Sequence, residues 1–117
     1  MHTISKTEKL VMALNTHIVD KEGFLRDLSD WTEDLALELA KQDDIELGSD
    51  HWEVIKIVRA YYQLYQISPV NRVLVNIIKK ELGPEKGKSI FLMGLFSGKP
   101  AKLVAKIAGL PKPSNCD

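Results

Sequence analysis

The sequence predicts a mainly helical α+β domain, in which a small N-terminal β-hairpin packs on about five helices. Three observations support this fold class. Residues 16–25 have the pattern of two short strands around a turn, residues 31–108 contain successive apolar stripes with helical spacing, and the chain ends in a stretch rich in glycine and proline. With 117 residues, the chain can bury one hydrophobic core without disulfide or metal staples.

The expected hairpin turns at Asp20–Gly23, where Gly23 can adopt the positive φ that such a turn often needs. Residues 1–12 are polar with scattered apolar positions, and we expect them to form a mobile tail or a frayed helix. The globular domain is therefore expected to span residues 13–108, followed by a C-terminal arm of residues 109–117.

The first two helices are expected to begin at polar caps. Asp30 is followed three residues later by Glu33, which is the spacing of a capping box. The second helix begins at Ser49 and Asp50 by the same logic, and its apolar residues cover so much of the circumference that it should lie at the centre of the domain. We expect His51, beside this cap, to serve in capping or to lie at the surface rather than to act in catalysis.

Glycine and proline separate the remaining helices. Ser68 is expected to cap the third helix, with Pro69 in its first position, and Gly83-Pro84 to end it. A strongly apolar fourth helix follows. Pro100 then begins a short fifth helix that runs through Ala108.

Charge is divided unevenly along the chain. Sixteen basic and sixteen acidic residues balance overall, but residues 1–50 carry a net charge of −7 and residues 51–117 a net charge of +7. This asymmetry predicts one acidic and one basic face, which could attract partners of either sign. Solvated helix surface without a partner is the alternative interpretation.

Cysteine and histidine usage argues against a metal site. A single cysteine, Cys116, excludes an internal disulfide and a multi-cysteine metal centre. His2, His17 and His51 have no metal-ligand spacing with one another or with this cysteine, so we expect no metal and no cofactor. The chain also lacks an apolar run of membrane-spanning length and a signal-peptide pattern. We therefore expect a cytoplasmic location, where a lone thiol stays reduced.

Two motifs could indicate other functions. Helices two and three could form a helix-turn-helix, with Asn71, Arg72 and Asn76 available to read base edges, although any small helical bundle contains two helices joined by a turn. Residues 83–89 look like a phosphate-binding loop, but they have three residues instead of four between the glycines and follow a helix instead of a strand. We reject the phosphate loop and keep the DNA-binding regulator as an alternative.

The C-terminal residues place the only thiol on a short tether. Gly109 can end the last helix, and Pro111 and Pro113 fix φ and prevent another helix, which predicts an extended, semi-stiff arm. Such an arm could carry Cys116 into the active site of another protein. An incidental thiol on a frayed terminus is the alternative interpretation.

Basic residues accompany this arm. We assign the following residues to partner docking: Lys99, Lys102, Lys106, Lys112 and Arg72. The first three of them share one face of the last helix and could also complement its negative C-terminal end. Nearby cations would favour the thiolate of Cys116, whereas Asp117 and the terminal carboxylate oppose it.

Several stretches resemble the DsrC/TusE family of sulfur-carrier proteins. They are Gly23-Phe24-Leu25, Ser29-Asp30-Trp31, His51-Trp52-Glu53-Val54, Ser68-Pro69, Gly83 to Lys88, Lys99-Pro100-Ala101-Lys102, and Lys106 to Pro113 with Cys116 behind it. The resemblance covers about residues 13–117. It implies an N-terminal β-meander packed on about five helices and a flexible C-terminal arm.

The resemblance also implies a function. In that family the penultimate cysteine, here Cys116, accepts a sulfane sulfur as a persulfide and hands it on. Members from dissimilatory sulfur pathways carry a second cysteine eleven residues earlier, where this chain has Ala105. The resemblance therefore implies a single-cysteine sulfurtransferase, which takes sulfur from a donor protein and supplies a tRNA-thiolating enzyme that makes wobble 2-thiouridine. A partner or regulatory subunit of sulfite reductase is the alternative within the family.

Overall fold

The computed structural model describes residues 18–114. Within this range, a short 3₁₀ helix precedes five α-helices. The 3₁₀ helix spans Leu28–Asp30, and the α-helices are α1 (Glu33–Gln42), α2 (Ser49–Tyr65), α3 (Asn71–Leu82), α4 (Ser89–Phe96) and α5 (Pro100–Ile107). The prediction of a mainly helical domain with about five helices is confirmed.

The central helix is α5, not α2 as the sequence predicts. α5 packs against α1, α2, α3 and α4, whereas α2 packs mainly against α3 and α5. Ala101, Val104 and Ala105 of α5 are completely buried. Because two of these side chains are methyl groups, neighbouring helices can approach α5 closely.

The N-terminal turn forms without extended strands. Gly23 has a φ of 91° and donates its N–H to the carbonyl of Asp20 at 2.9 Å. Val19 and Leu25 form an isolated antiparallel bridge, and the described part of the chain contains no longer strand. The expected β-meander is therefore not confirmed, and the start of its first strand, residues 16 and 17, lies outside the described residues.

Two helix caps differ from the predicted ones. Thr32, not Asp30, caps α1, because its Oγ1 accepts the N–H of Leu35 at 3.1 Å while Asp30 belongs to the separate 3₁₀ helix. Gly48 is the N-cap of α2, and its N–H donates to Nδ1 of His51 at 3.1 Å. The capping role predicted for His51 is confirmed.

The start of α3 also differs from the predicted one. The helix begins at Asn71 with Val70 as its N-cap, so the predicted cap at Ser68 and first position at Pro69 are wrong. Ser68 is only 4% exposed, and its hydroxyl donates to the carbonyl of Pro111 at 2.6 Å instead of capping a helix. A hydrogen bond to a residue distant in sequence has therefore replaced the expected helix cap at Ser68.

The remaining helix boundaries agree with those that the sequence predicts. Gly83 is the C-cap of α3, and Pro100 is the first residue of α5. α5 ends at Ile107 with Ala108 as its C-cap. Across the described helices, none combines the length and the apolar character that crossing a membrane requires.

Candidate functional site at the root of the C-terminal arm

The candidate site is the segment that joins α5 to Cys116. We call residues 109–113 the arm root. Cys116 itself lies outside the described residues, which end at Ser114. The geometry of the arm root decides from which point of the domain the thiol is presented.

The chain leaves α5 through a Schellman motif. Gly109 has a φ of 72° and donates its N–H to the carbonyl of Lys106 at 3.1 Å, and the N–H of Leu110 donates to the carbonyl of Ala105 at 2.9 Å. Leu110 is then buried, with 3% of its surface exposed. The prediction that Gly109 ends the last helix is confirmed.

Trp31 lies directly against Gly109. A Cβ atom at position 109 would be 2.7 Å from Cγ of Trp31, closer than van der Waals contact allows. The indole Nε1 of Trp31 donates to the carbonyl of Ile107 at 2.8 Å. Position 109 therefore requires glycine for two reasons, the positive φ and the adjacent indole ring.

Arg59 of α2 binds the same turn. Its guanidinium carbon lies 3.8 Å from the centroid of the Trp31 ring, and its Nη1 donates to the carbonyl of Ala108 at 2.6 Å. Burial lowers the pKa of Arg59, but a guanidinium stays protonated at neutral pH. A positive charge thus faces the negative C-terminal end of α5 and stacks on an aromatic ring.

Two further contacts hold the arm root. The Ser68 hydroxyl binds the Pro111 carbonyl, and Nζ of Lys112 lies 3.1 Å from Oε2 of Glu22. Pro113 is buried. The sequence places residues 109–113 in a flexible arm, whereas in the structure this part of the arm is packed against the domain.

The predicted docking lysines have acidic partners from the N-terminal half. Nζ of Lys102 lies 3.4 Å from Glu22, and Nζ of Lys106, whose side chain is 12% exposed, lies 2.9 Å from Asp43. Lys99 also has a partner within the molecule. The fold thus neutralises part of the basic surface, and a role of these residues in partner docking stays a prediction.

A DNA-binding surface and a metal site have less support. Asn71, considered above for base reading, accepts the N–H of Ala101 at 3.0 Å and so caps the start of α5, while Arg72 and Asn76 are exposed on α3. Residues 18–114 contain no group of His, Cys, Asp and Glu that could hold a metal ion.

Sequence reasoning missed Trp31, Arg59 and Ser68 as contacts of the arm root. Trp31 and Ser68 both lie in stretches that resemble the sulfur-carrier family, although local patterns indicate only helix starts there. Arg59 stands between Val58 and Ala60 in a largely apolar helix. A cation with apolar neighbours on both sides is a usable signal of a specific partner.

Comparison with known proteins defines the class of protein. The family model described as DsrC like protein matches residues 12–116, and the chain belongs to this family. In sequence it is 50% identical over 97 residues to the sulfurtransferase TusE of Photorhabdus laumondii, an alignment that covers 83% of this chain and 87% of that protein.

Solved structures support the same assignment. The NMR structure of DsrC from Allochromatium vinosum matches with a TM-score of 0.77 and 48% identity, covering 85% of this chain and 88% of that chain. The oxidized gamma-subunit of dissimilatory sulfite reductase (DsrC) from Archaeoglobus fulgidus matches with a TM-score of 0.73 and 39% identity, covering 85% and 90%. The predicted family resemblance is confirmed.

The ion pairs of Glu22 give a testable pH dependence. Hydrogen bonds from Lys112, and then from Lys102, lower the pKa of Glu22 below its ordinary value of 4.5. Because the folded-state pKa is lowered, this stabilisation is present above the unfolded pKa and is lost as the pH falls through the folded pKa. We expect urea unfolding to find wild type more stable than Glu22→Gln near neutral pH, with the difference closing as the pH falls from 4.5 through the lowered folded-state pKa. A difference that persists in acid would contradict this assignment, and exposed Glu85→Gln is the matched control.

Proposed function

We propose that this sulfurtransferase carries a sulfane sulfur as a persulfide on Cys116 and passes it to an acceptor enzyme in a sulfur relay. The observation that carries the proposal is the 50% identity to the sulfurtransferase TusE over 97 residues, in a chain whose single cysteine is the penultimate residue. The arm root ends at Pro113, three residues before this thiol, so the fold sets the point of the domain from which the thiol is presented.

The chemistry consists of two thiol exchanges. The thiolate of Cys116 attacks the outer sulfur of a donor persulfide, forms a new S–S bond, and releases the donor cysteine as a thiolate. An acceptor thiolate then attacks the outer sulfur of the Cys116 persulfide and releases the Cys116 thiolate. Each exchange makes one S–S bond and breaks one, so no oxidant, metal or cofactor is required.

The proposed partners are a protein persulfide donor upstream and a tRNA-thiolating enzyme downstream, acting in wobble 2-thiouridine synthesis. The name of the relatives, TusE, and the presence of Ala105 in place of a second arm cysteine both favour this setting. A cytoplasmic location belongs to the same proposal, since a reducing compartment keeps a lone thiol available. Lys99, Lys102, Lys106, Lys112 and Arg72 are proposed to contact these partners.

Association with sulfite reductase is the second candidate. It is favoured by the likeness to the gamma-subunit of dissimilatory sulfite reductase from Archaeoglobus fulgidus. Position 105 provides no second thiol that could react with Cys116, because Ala105 has no sulfur and is completely buried in α5. This chain therefore has no internal thiol partner for Cys116.

A reconstituted transfer distinguishes the two candidates. The protein is loaded with glutathione persulfide, freed of excess donor, and incubated with a tRNA-thiolating enzyme, unmodified tRNA and ATP, which activates the uridine oxygen that the sulfur displaces. We expect 2-thiouridine to form in proportion to the loaded protein. No transfer to tRNA, combined with stable binding to purified sulfite reductase, would favour the second candidate.

A further inference from the structure

We propose that Arg59 and Ser68 are positioning residues for sulfur transfer, because they bind the carbonyls of Ala108 and Pro111 in a segment that is packed against the domain as far as Pro113. This inference rests on the proposed function, since it concerns how the same thiol is presented. It assigns a role to a buried serine and a half-buried arginine that the two thiol exchanges do not use.

The anchoring contacts come from separate parts of the fold. Arg59 of α2 binds the Ala108 carbonyl at 2.6 Å, and Ser68, in the loop between α2 and α3, binds the Pro111 carbonyl at 2.6 Å. Ala108 immediately precedes the arm root and Pro111 is its third residue, so the two contacts hold the chain from just before the arm root to its middle. A segment held at two carbonyls three residues apart loses much of the rotational freedom that its backbone would otherwise have.

The anchor shortens the reach of the thiol. An extended chain spans at most about 3.3–3.6 Å per residue, so three residues beyond Pro113 give the Cα of Cys116 a range of about 11 Å. An arm released from Gly109 onward would have seven residues and a range of about 24 Å. The anchored arm therefore halves the distance over which Cys116 can search.

A short tether has a consequence for the partner. The donor and the acceptor must each bring an active site within about 11 Å of Pro113, so they must dock against the domain beside the arm root. Because the thiol is already confined before the partner docks, the reacting sulfur atoms lose less entropy when they come together. Exposed Ile67, next to Ser68, and Glu22 and Lys112 lie at this exit.

Double electron–electron resonance measures the tether directly. Cys116 is the only cysteine, so one nitroxide attaches there and a second attaches to Glu85→Cys, an exposed position between α3 and α4. We expect the distance distribution of the Arg59→Met/Ser68→Ala variant to be about twofold wider than that of the otherwise native chain. Lys80→Met, which removes an exposed cation of α3 that has no assigned role, is the control and should leave the distribution unchanged. Equal widths in the native and double-variant proteins would overturn the anchor.

Sulfur transfer measures the positioning role. We expect Ser68→Ala to react with glutathione persulfide at the wild-type rate but to lower kcat/KM for the tRNA-thiolating enzyme about tenfold, and Arg59→Lys to retain more transfer than Arg59→Met. A merely structural role would lower transfer only in proportion to the folded fraction of each variant, measured by circular dichroism, and a loss of transfer that the folded fraction fully accounts for would overturn the inference. If wild type itself loads but transfers nothing, the proposed function fails, whereas the resonance experiment still decides whether the arm is anchored.

Discussion

Cys116→Ser should abolish persulfide loading. A hydroxyl is not ionised near neutral pH and does not displace a thiolate from an S–S bond, whereas a thiolate does. The chain contains no second cysteine that could take over the role. Intact mass after incubation with glutathione persulfide should therefore show an adduct of about 32 Da on the wild-type protein and none on the variant.

The stability of the folded protein provides the control for this substitution. Cys→Ser changes one atom near the end of the chain, and we expect the urea unfolding midpoint to stay within error of wild type. Cys116→Ala should behave in the same way. A persistent adduct on a folded serine variant would place the carried sulfur on another residue and contradict the role assigned to Cys116.

Gly109→Ala should be strongly destabilising. The positive φ of 72° costs a residue with a Cβ about 1–2 kcal/mol. Overlap of the new methyl group with the Trp31 ring adds about 1–3 kcal/mol, as for an overpacked core. We expect the free energy of unfolding, measured in urea, to fall by about 2–5 kcal/mol.

Two other glycines separate these contributions. Gly83 has a φ of 95°, but a Cβ at this position would have no neighbouring atom within 4 Å, so Gly83→Ala should show the backbone cost alone. Gly98 has neither a positive φ nor such a neighbour, and Gly98→Ala should be close to neutral. If Gly109→Ala costs no more than about 1–2 kcal/mol, the cost of its positive φ alone, the packing of Trp31 against the arm root does not have the importance assigned to it here.

Local patterns account for most of the helical architecture. Apolar periodicity predicts the five helices, and Gly83, Pro100 and Gly109 lie at their predicted boundaries because each depends on the conformational preferences of one residue. The capping role of His51 is predictable for the same reason, since its cap contact is three residues away.

Contacts between distant residues account for what the sequence did not predict. Ser68 is 43 residues from Pro111, and Trp31 is 76 residues from Ile107. At Ser68, a tertiary hydrogen bond replaces the helix cap that its position before a proline indicates. Arg59 has no local pattern that names Ala108 as its partner, although its apolar surroundings mark it as unusual.

The charge asymmetry of the sequence is only partly an asymmetry of the surface. The acidic first half and basic second half meet within the molecule, where Glu22 pairs with Lys102 and Lys112, and Asp43 pairs with Lys106. Opposite charges on one chain can neutralise each other when the fold brings them together. A sequence does not reveal which of its charges do so.

The most direct test of the proposed relay follows one sulfur atom. The protein is loaded from glutathione persulfide that carries heavy-isotope sulfur in its outer position. Tandem mass spectrometry of the C-terminal peptide locates the label before and after incubation with the tRNA-thiolating enzyme, ATP and tRNA. We expect the label to lie on Cys116 first, then to leave it and appear in 2-thiouridine. A label that never reaches Cys116, or that reaches 2-thiouridine equally well from the Cys116→Ser variant, would show that this thiol does not carry the sulfur.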